Sequence, residues 1–543
     1  MERLTKNTID NHYDMIIIGG GITGASVAYE ASSRGLKVAL FEKGDFGEAT
    51  SAATSKLIHG GLRYLKNMEF ALVRESLTER RTLENIAPNF VYPIPFMIPT
   101  YKNLKNNKSV LTMGMVLYDI LSYDKAFTWD ASKKLPLHKN IGKNLTHNLE
   151  PFIKTQKLTG SSIFYDCQNI NPERLTLSMI KSAIHHGAKV ANYSKIQSFI
   201  KEENKIKGVN IHDQINDNTY GVTADIVINC TGPWSDFVLN NAAKGHDNNH
   251  HIRRSEGIHI ITKKLCREHT ISLMTENGRH LLFIPWRGHT IIGTTDKTYK
   301  GNPDDYKVSK KSIMELLEEI NQIYGEEKIS YDDILFAYGG MRPLVDNQTE
   351  GSYSSSRKYE INDNSKDGLD GLFSVEGGKY TTSRKLAAQL LKKVAKKWHR
   401  NLGKSTTDKV FLKDSAIKDM PAFIKDLEEK YPVFSKDTIH YLGNNYGERC
   451  HEIFQLAMDE PELQEVVSID GEILAEVVFV IENEMVFKLS DIIFRRTGIG
   501  TLGYPGDKIF NTVVQKVKEL MKWDDAKTKA EVKQVMAIFK KPE

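Results

Sequence analysis

The sequence predicts an α/β protein with a Rossmann-type first unit, a second sheet of mixed strands and a helical C-terminal region. A short apolar run, Met15 to Ile18, precedes three spaced glycines, a stretch of small helix-compatible residues and a second strand-like run, Lys37 to Phe41. This order is that of a parallel βαβ unit. Strand-like segments recur between residues 256 and 345, and residues 416–543 are mostly helical in pattern.

The first unit carries a dinucleotide-binding pattern. Gly19, Gly21 and Gly24 have G-x-G-x-x-G spacing, and Glu42 ends the second strand 18 residues after Gly24. Gly19 permits the tight turn, Gly21 lets the backbone approach a pyrophosphate, and Gly24 lets the helix pack on the strand. The helix N-terminus favours the phosphates, and Glu42 is placed to bind a ribose hydroxyl. A literal second match, Gly498 to Gly503, lacks a preceding strand and is interpreted as a loop.

Composition favours an intracellular protein that is soluble or peripheral to a membrane. The net charge of +5 over 543 residues gives no argument for nucleic acid binding. The four cysteines are far apart, as expected for reduced thiols, and the N-terminus does not resemble a signal peptide. The apolar run Val110 to Leu121 is too short to span a bilayer. The paired histidines at 185–186 and 250–251 lack partner ligands, so no metal is expected.

Two later segments extend the nucleotide interpretation. Ala224 to Gly232 is a buried strand that ends in a Thr-Gly turn, and Phe373 to Lys379 is a strand with a double-glycine turn before a helix. The N-terminus of that helix could stabilise negative charge on the pyrimidine end of a flavin. Arg342, in Gly339 to Pro343, is predicted to follow a strand directly and to offer a guanidinium for binding phosphate.

Five segments together resemble the FAD-dependent glycerol-3-phosphate dehydrogenases of the aerobic type. They are Gly19–Gly24, Thr50–Leu65, Asn229–Trp234, Ile291–Asp296 and Gly377–Thr382. The resemblance covers residues 14–400 and implies a glutathione-reductase-like FAD-binding Rossmann domain, a substrate-binding sheet and a helical C-terminal domain. It also implies oxidation of sn-glycerol 3-phosphate to dihydroxyacetone phosphate, with hydride transfer from C2 to flavin N5 and electrons passed to membrane quinone.

The resemblance assigns roles to individual residues. Those expected to hold FAD are Gly19, Gly21, Ile22, Thr23, Gly24, Glu42, Thr50, Ser51, Ser55, Lys56, Leu57, Ile58, His59, Thr231, Gly232, Gly378, Lys379, Tyr380 and Thr381. Those expected to bind substrate are Arg63, Tyr64, His259, Arg342 and Arg357. The catalytic group is expected to be His59, Arg342 and Lys379. His59 is the preferred general base because a neutral imidazole has a suitable pKa, with Lys379 and His259 as alternatives.

The predicted domain boundaries follow from these segments. They are 1–100 for the first part of the FAD-binding domain, 101–155 for an insertion, 156–255 for its second part, 256–345 for the substrate-binding sheet, 346–400 for its third part and 401–543 for the helical domain. The sequence leaves the oligomeric state open, a homodimer included.

Three alternative functions remain at this point. One is a glycerol-3-phosphate oxidase that uses O2, another is a related FAD amine or amino-acid oxidase, and the last is a flavin-binding regulatory protein without turnover. Bleaching of the bound flavin by glycerol 3-phosphate, and the yield of hydrogen peroxide, would distinguish them.

A basic amphipathic helix suggests where the protein resides. The helix predicted from Thr381 to Arg400 has no acidic residue, and its cations are Arg384, Lys385, Lys392, Lys393, Lys396, Lys397 and Arg400. Such a helix is typical of a membrane surface, although its apolar stripe could equally pack on the first domain. The expectation is a cytoplasmic protein bound peripherally to lipid on the inner face of a bacterial cytoplasmic membrane. A C-terminal helix with Val532 and Phe539 is a second candidate.

Overall fold

The computed structural model describes residues 1–102, 108–243, 250–276, 278–325, 328–345 and 358–543. The strands are, in chain order, β1 (His12–Ile18), β2 (Val38–Phe41), β3 (Leu57–Ile58), β4 (Val91–Tyr101), β5 (Lys139–Gly142), β6 (Leu158–Asn169), β7 (Lys189–Ala191), β8 (Ser194–Glu202), β9 (Lys205–Asp213), β10 (Asn218–Asn229), β11 (Arg253–Lys263), β12 (Thr270–Met274), β13 (His280–Trp286), β14 (His289–Gly293), β15 (Lys297–Tyr299), β16 (Ile334–Leu344), β17 (Tyr359–Asp363) and β18 (Leu372–Gly377).

The helices occupy the connections and the C-terminal region. They are α1 (Ile22–Ser32), α2 (Phe70–Ile86), α3 (Lys108–Leu121), α4 (Lys143–Leu149), α5 (Pro172–His185), α6 (Ser235–Ala242), α7 (Lys310–Ile323), α8 (Ser383–Lys397), α9 (Met420–Lys430), α10 (Lys436–Tyr446), α11 (Cys450–Asp459), α12 (Leu474–Asn483), α13 (Leu489–Asp491), α14 (Asp507–Met521) and α15 (Asp525–Phe539). A π-helical turn, Ile492–Arg496, directly continues α13.

The first sheet is built around β1. Its strand order is β17-β18-β10-β1-β2-β7, and β1 pairs in parallel with both β10 and β2. β18 pairs in parallel with β10, so the carboxyl ends of these strands lie at one edge. Helices α1, α5 and α8 cover one face, where their buried side chains form a core with the strands. This is the predicted Rossmann-type arrangement.

The second sheet is larger and mostly antiparallel. Its order is β15-β11-β14-β13-β12-β4-β6-β3, with β16 beside β11 and β5 beside β6. The predicted substrate-binding sheet of residues 256–345 therefore continues through four strands from residues 57–169. Arg342 also differs from expectation, because Gly339 to Pro343 lies inside β16, paired with β11, and not after a strand.

The basic helix of the sequence is α8, and its apolar stripe faces the core. Leu386, Leu390, Leu391 and Val394 are buried against the first sheet. Lys397 forms ion pairs with Asp363 and Asp370, while Lys392 and Lys396 are exposed. The core-packing interpretation of the stripe is therefore correct, and the membrane role of the lysines stays a prediction. Within the described ranges, no helix combines the length and apolar character needed to cross a bilayer.

The contact between Gly24 and Gly19 gives a stability prediction. A Cβ on Gly24 would lie 1.9 Å from the Gly19 carbonyl oxygen, a backbone atom that cannot move aside without opening the turn. We expect Gly24→Ala to lower the free energy of unfolding by about 1–3 kcal/mol, as measured by urea denaturation. The control is Gly114→Ala in α3, where no atom lies within 4 Å. That change should stabilise by about 0.5–1 kcal/mol, and equal losses in both variants would contradict the argument.

Candidate active site

A cavity of about 1160 Å³ opens at the carboxyl edge of the first sheet and extends along the second sheet. Most of the predicted site residues line it, although they come from distant parts of the chain. They are Gly19, Gly21, Ile22, Thr23, Glu42, Thr50, Ser51, Ser55, Leu57, His59, Arg63, Tyr64, Thr231, Gly232, His259, Arg342, Gly378, Lys379, Tyr380 and Thr381.

Three predicted residues lie away from the cavity, and a fourth is not described. Gly24 packs α1 on β1, and Ile58 is fully buried in the core. Lys56 is buried behind the cavity, where its Nζ lies 2.5 Å from Glu173 Oε1 in an ion pair. Arg357 is outside the described residues. Gly24, Ile58 and Lys56 can therefore shape the wall but do not face the cavity space.

The glycine turn is shaped for a close backbone approach by a ligand. Gly19 has φ +105°, and a Cβ there would lie 2.7 Å from the carbonyl oxygen of Cys230. Gly21 is the N-cap of α1 and lines the cavity, and the Ser51 hydroxyl accepts a hydrogen bond from the Ile22 N–H at 2.9 Å. The start of α1 thus presents its positive end to the cavity, as a phosphate site requires.

Glu42 lies at the end of β2, where two backbone groups hold it. Its carboxylate accepts hydrogen bonds from the N–H groups of Gly20, at 2.6 Å, and Gly44, at 2.8 Å. Burial raises the pKa of Glu42 above its ordinary value, against the opposing effect of these two donors. The carboxylate is therefore fixed beside the glycine turn, in the position expected for binding a ribose hydroxyl.

Cationic side chains gather at the other end of the cavity. Lys379 Nζ donates a hydrogen bond to Ser76 Oγ at 2.7 Å and lies 4.2 Å from the centre of the Tyr64 ring. Arg63 Nη2 donates to the Tyr64 hydroxyl at 3.0 Å. Tyr64 therefore lies between two cations, and the group together favours an anionic ligand.

Arg342 is held by the second sheet. Its guanidinium donates to Thr294 Oγ1 at 2.7 Å and to the Thr295 carbonyl at 3.1 Å. It also lies against the backbone of Gly257, where a Cβ would come within 2.0 Å of Nη2. The glycine at position 257 leaves room for the guanidinium in this orientation, and the contacts with Thr294 and Thr295 hold it there.

Two histidines face the cavity in different surroundings. Burial lowers the pKa of His59 to about 4, with contributions from Lys379 and Arg63 in the same direction and Asp166 opposing. Burial and the nearby Arg342 and Lys56 lower the pKa of His259 to about 3. His259 Nε2 is 2.8 Å from Ser55 Oγ, and its ring stacks on Tyr338. Both imidazoles are neutral at pH 7.

Sequence reasoning missed several residues of the cavity wall. Leu111, Gly114 and Leu117 of α3 line it, yet the sequence shows them only as part of a short apolar run. Asp166 lies beside His59 and accepts hydrogen bonds from Tyr118 and Arg80 at 2.6 Å, and no motif marks it. Thr295 belongs to a segment singled out by resemblance, which could have indicated its contact with Arg342.

Comparison with known proteins identifies the class. The family model described as "FAD dependent oxidoreductase" matches residues 14–372, and that described as "C-terminal domain of alpha-glycerophosphate oxidase" matches residues 376–528. The fold is accordingly that of an FAD-dependent oxidoreductase.

Individual relatives identify the family within this class of oxidoreductases. A glycerol-3-phosphate dehydrogenase of Synechocystis is 35% identical over 500 residues, which is 90% of this chain and 89% of the relative. An aerobic glycerol-3-phosphate dehydrogenase of Staphylococcus saprophyticus is 31% identical over 511 residues, 92% of this chain and 88% of the relative. The structure of the Bacillus halodurans glycerol-3-phosphate dehydrogenase with FAD has a TM-score of 0.78 at 24% identity, covering 98% of this chain and 95% of that one. This chain belongs to the FAD-dependent glycerol-3-phosphate dehydrogenase/oxidase family.

The residues present fit FAD. The cavity joins the glycine turn and Glu42, which suit a pyrophosphate and a ribose, to the Gly378 turn that precedes α8. Gly378 has φ +93°, a conformation that residues with a side chain rarely adopt. Among the described residues, no group of His, Cys, Asp or Glu side chains is arranged to hold a metal ion.

The depressed pKa of His259 gives a prediction about acid stability. Between pH 6.5 and about 3 the unfolded chain binds a proton at this histidine that the folded chain does not. Stability therefore falls as the pH is lowered through this window, by about 1.4 kcal/mol per pH unit for this one group. We expect urea denaturation at pH 6.5 and 5.0 to show a smaller pH dependence in His259→Gln. An unchanged pH dependence, matching that of the exposed-site control His147→Gln, would contradict the buried neutral state.

Proposed function

We propose that this chain oxidises sn-glycerol 3-phosphate at C2 to dihydroxyacetone phosphate and passes the electrons to a membrane quinone. The observation that carries the proposal is the grouping of Arg63, Arg342, Lys379 and His59 on one cavity that begins at the glycine turn. The names of the relatives, which are glycerol-3-phosphate dehydrogenases, support the same substrate.

The cations are suited to the phosphate dianion. Arg342 offers a guanidinium that Thr294 and Thr295 already orient, and Arg63 offers a second one above Tyr64. A guanidinium can bind two phosphate oxygens at once, which fixes the orientation of the substrate as well as its position. Arg357 stays a sequence-based candidate for the same role.

His59 is the proposed base for the C2 hydroxyl proton. Its imidazole is neutral, so a nitrogen lone pair can accept that proton. The incoming phosphate dianion would offset Lys379 and Arg63, the two cations that lower its pKa, and so strengthen the base on substrate binding. Lys379, which donates to Ser76, would hold the substrate oxygen. His259 is less suited because Ser55 already occupies its Nε2.

Different residues of the cavity would bind the cofactor, orient the substrate and remove its proton. Gly19 to Thr23 would hold the pyrophosphate of FAD and Glu42 its ribose, and the Gly378 turn would face the flavin. Bound FAD supplies the hydride acceptor. Orientation of the substrate by the cations and removal of the hydroxyl proton by His59 then fall to this chain's own side chains.

Two substitutions separate these roles. We expect His59→Gln to lower kcat by about 10²–10⁴ through loss of the general base. Arg342→Lys should mainly raise KM, because the phosphate is bound in both the ground state and the transition state. The measurement is anaerobic bleaching of the flavin by glycerol 3-phosphate in stopped flow. Normal bleaching rates in His59→Gln would transfer the role of base to Lys379 or His259.

The acceptor is tested separately. The C-terminal match to an alpha-glycerophosphate oxidase domain keeps O2 as a second candidate acceptor. Stoichiometric hydrogen peroxide during aerobic turnover, with no reduction of added quinone, would favour the oxidase.

Helix α3 supports a membrane-facing surface. Val110, Met113, Val116 and Ile120 recur on its outer side and are 64%, 72%, 45% and 61% exposed. Its other sides carry Met115 and Tyr118, which are buried, and Leu111 and Leu117, which line the cavity. A helix that is apolar on every side is normally covered on every side, so the exposed side calls for an apolar environment.

The charge around α3 fits an anionic lipid surface. Residues 101–145 contain eight lysines, three aspartates and no glutamate. Lys133 and Lys125 are buried, and Lys125 pairs with Asp119. The positive charge available to a lipid surface is therefore that of the exposed lysines, such as Lys134, Lys139 and Lys143. Each lysine near an anionic surface contributes about 1 kcal/mol to binding. Val110 and Met113 are both exposed and part of the cavity wall, so the same surface would give a quinone access to the cavity from the bilayer. We therefore place the membrane-facing surface at α3 and treat the α8 lysines as the alternative.

Paired variants distinguish the two surfaces. We expect Val116→Glu with Ile120→Glu to abolish co-sedimentation with anionic phospholipid vesicles, because two carboxylates would have to enter lipid. Turnover with a soluble dye should stay normal, since neither residue lines the cavity. The comparison variant is Lys392→Gln with Lys396→Gln on α8, which should bind vesicles nearly as well as the wild type. The reverse pattern would assign the membrane surface to α8.

A further inference from the structure

The loop after Glu42 is held by the C-terminal region of the chain. Asp45 is 1% exposed, and its Oδ2 accepts hydrogen bonds from Arg495 Nε at 2.6 Å and Arg496 Nη1 at 2.7 Å. Its Oδ1 accepts from Arg496 Nη2 at 2.8 Å and from Asn192 Nδ2 at 2.9 Å. The Asp45 carboxylate is therefore fully hydrogen-bonded, and Arg496 binds it through both of its oxygens.

This loop is continuous with the cofactor cavity. Gly44, Asp45 and Glu48 line the cavity, and the Asp45 N–H donates to Glu48 Oε2 at 2.8 Å. The Gly47 N–H donates to the Gly20 carbonyl at 3.0 Å, so the loop is fastened to the glycine turn. A displacement of Asp45 would consequently move both the backbone that holds Glu42 and the turn that receives the pyrophosphate.

The two arginines converge because of an unusual backbone. Arg495 and Arg496 end the π-helical turn that begins at Ile492. Successive residues of a regular α-helix point about 100° apart, whereas here two neighbours reach the same carboxylate. Such turns are rare and occur frequently at functional sites. The Asp491 carboxylate accepts a hydrogen bond from Arg495 Nη2 at 2.5 Å, and the Glu484 carbonyl accepts one from Arg496 Nε at 3.0 Å. Each arginine side chain is therefore held by a second partner besides Asp45.

The two arginines keep the buried Asp45 carboxylate ionised, so the loss of either partner is costly. Burial alone would raise the pKa of Asp45, but Arg496 and Arg495 lower it well below its usual range. The carboxylate therefore stays ionised although it is buried. Removing one partner would leave the other charge buried and unpaired, which is far more costly than losing an exposed ion pair.

We propose that Arg495 and Arg496 are positioning residues for FAD, acting through Asp45 on the Glu42 loop. The C-terminal domain is then part of the cofactor-binding apparatus, although it supplies no atom to the glycine turn. Because coupling between two sites is reciprocal, binding of FAD should in turn stabilise the π-helical turn.

A matched pair of variants tests the proposal. Arg496→Lys keeps the charge and removes the two-oxygen contact with Asp45. Arg287→Lys changes a less buried contact between the second sheet and the C-terminal domain. There Arg287 pairs with Asp470 and Glu472 and donates to the Gly498 carbonyl at 2.7 Å, with no contact to Asp45 among its hydrogen bonds. Titration of FAD into full-length apoprotein, followed by flavin fluorescence, should give a Kd at least about tenfold higher for Arg496→Lys, and nearly unchanged for Arg287→Lys. Equal Kd values in the two variants would overturn the proposal.

A second measurement needs no substitution. Hydrogen exchange of wild-type protein, with and without FAD, should show slower exchange of amides in residues 484–500 when FAD is bound. Amides of residues 466–474, on the Arg287 side, should change much less. Identical protection of residues 484–500 in the two states would overturn the coupling even if Arg496→Lys failed to fold.

Discussion

The parallel register of three strands is the constraint on which the site depends. Ile18 of β1 pairs with Asn229 of β10, and Asn229 pairs in turn with Ser374 of β18. Because each strand ends at the same edge, the turns that follow them meet there, although they lie about 200 and 150 residues apart in the chain. A shift of one residue in either pairing would turn the buried side chains to the wrong face and separate the turns.

The second sheet supplies some of the cationic side chains that face the cavity at the carboxyl edge of the first sheet. It carries Arg342 on β16, which pairs with β11, and the Thr295 carbonyl accepts a hydrogen bond from the guanidinium. Lys379 and Tyr64 approach from the first sheet and the segment before α2. Anion-binding groups thus reach the cavity from two separately folded layers. A small error in the packing of one layer on the other would change the distance between the cations without altering either layer.

Local patterns predicted the glycine turn, Glu42 and the helices well, because the signals lie within about 30 consecutive residues. Arg342 lines the cavity, but the sequence pattern placed it after a strand. Glycines and proline normally end strands, and pairing with β11 keeps Gly339 to Pro343 extended. The strands from residues 57–169 could not be assigned to the second sheet, because their partners are distant in sequence. Arg495 and Arg496 carry no local signal either, since their partner is Asp45.

The separation between Asp45 and its arginines also has a consequence for biosynthesis. About 450 residues lie between the loop and Arg496, so the loop emerges from the ribosome long before its partner exists. At roughly 5–20 residues per second, that interval is about 20–90 s. During it the first βαβ unit can fold, but the loop after Glu42 lacks its hydrogen bonds from Arg495 and Arg496. If Arg495 and Arg496 position the loop as proposed, completion of the cofactor pocket is a late event, tied to synthesis of the last tenth of the chain.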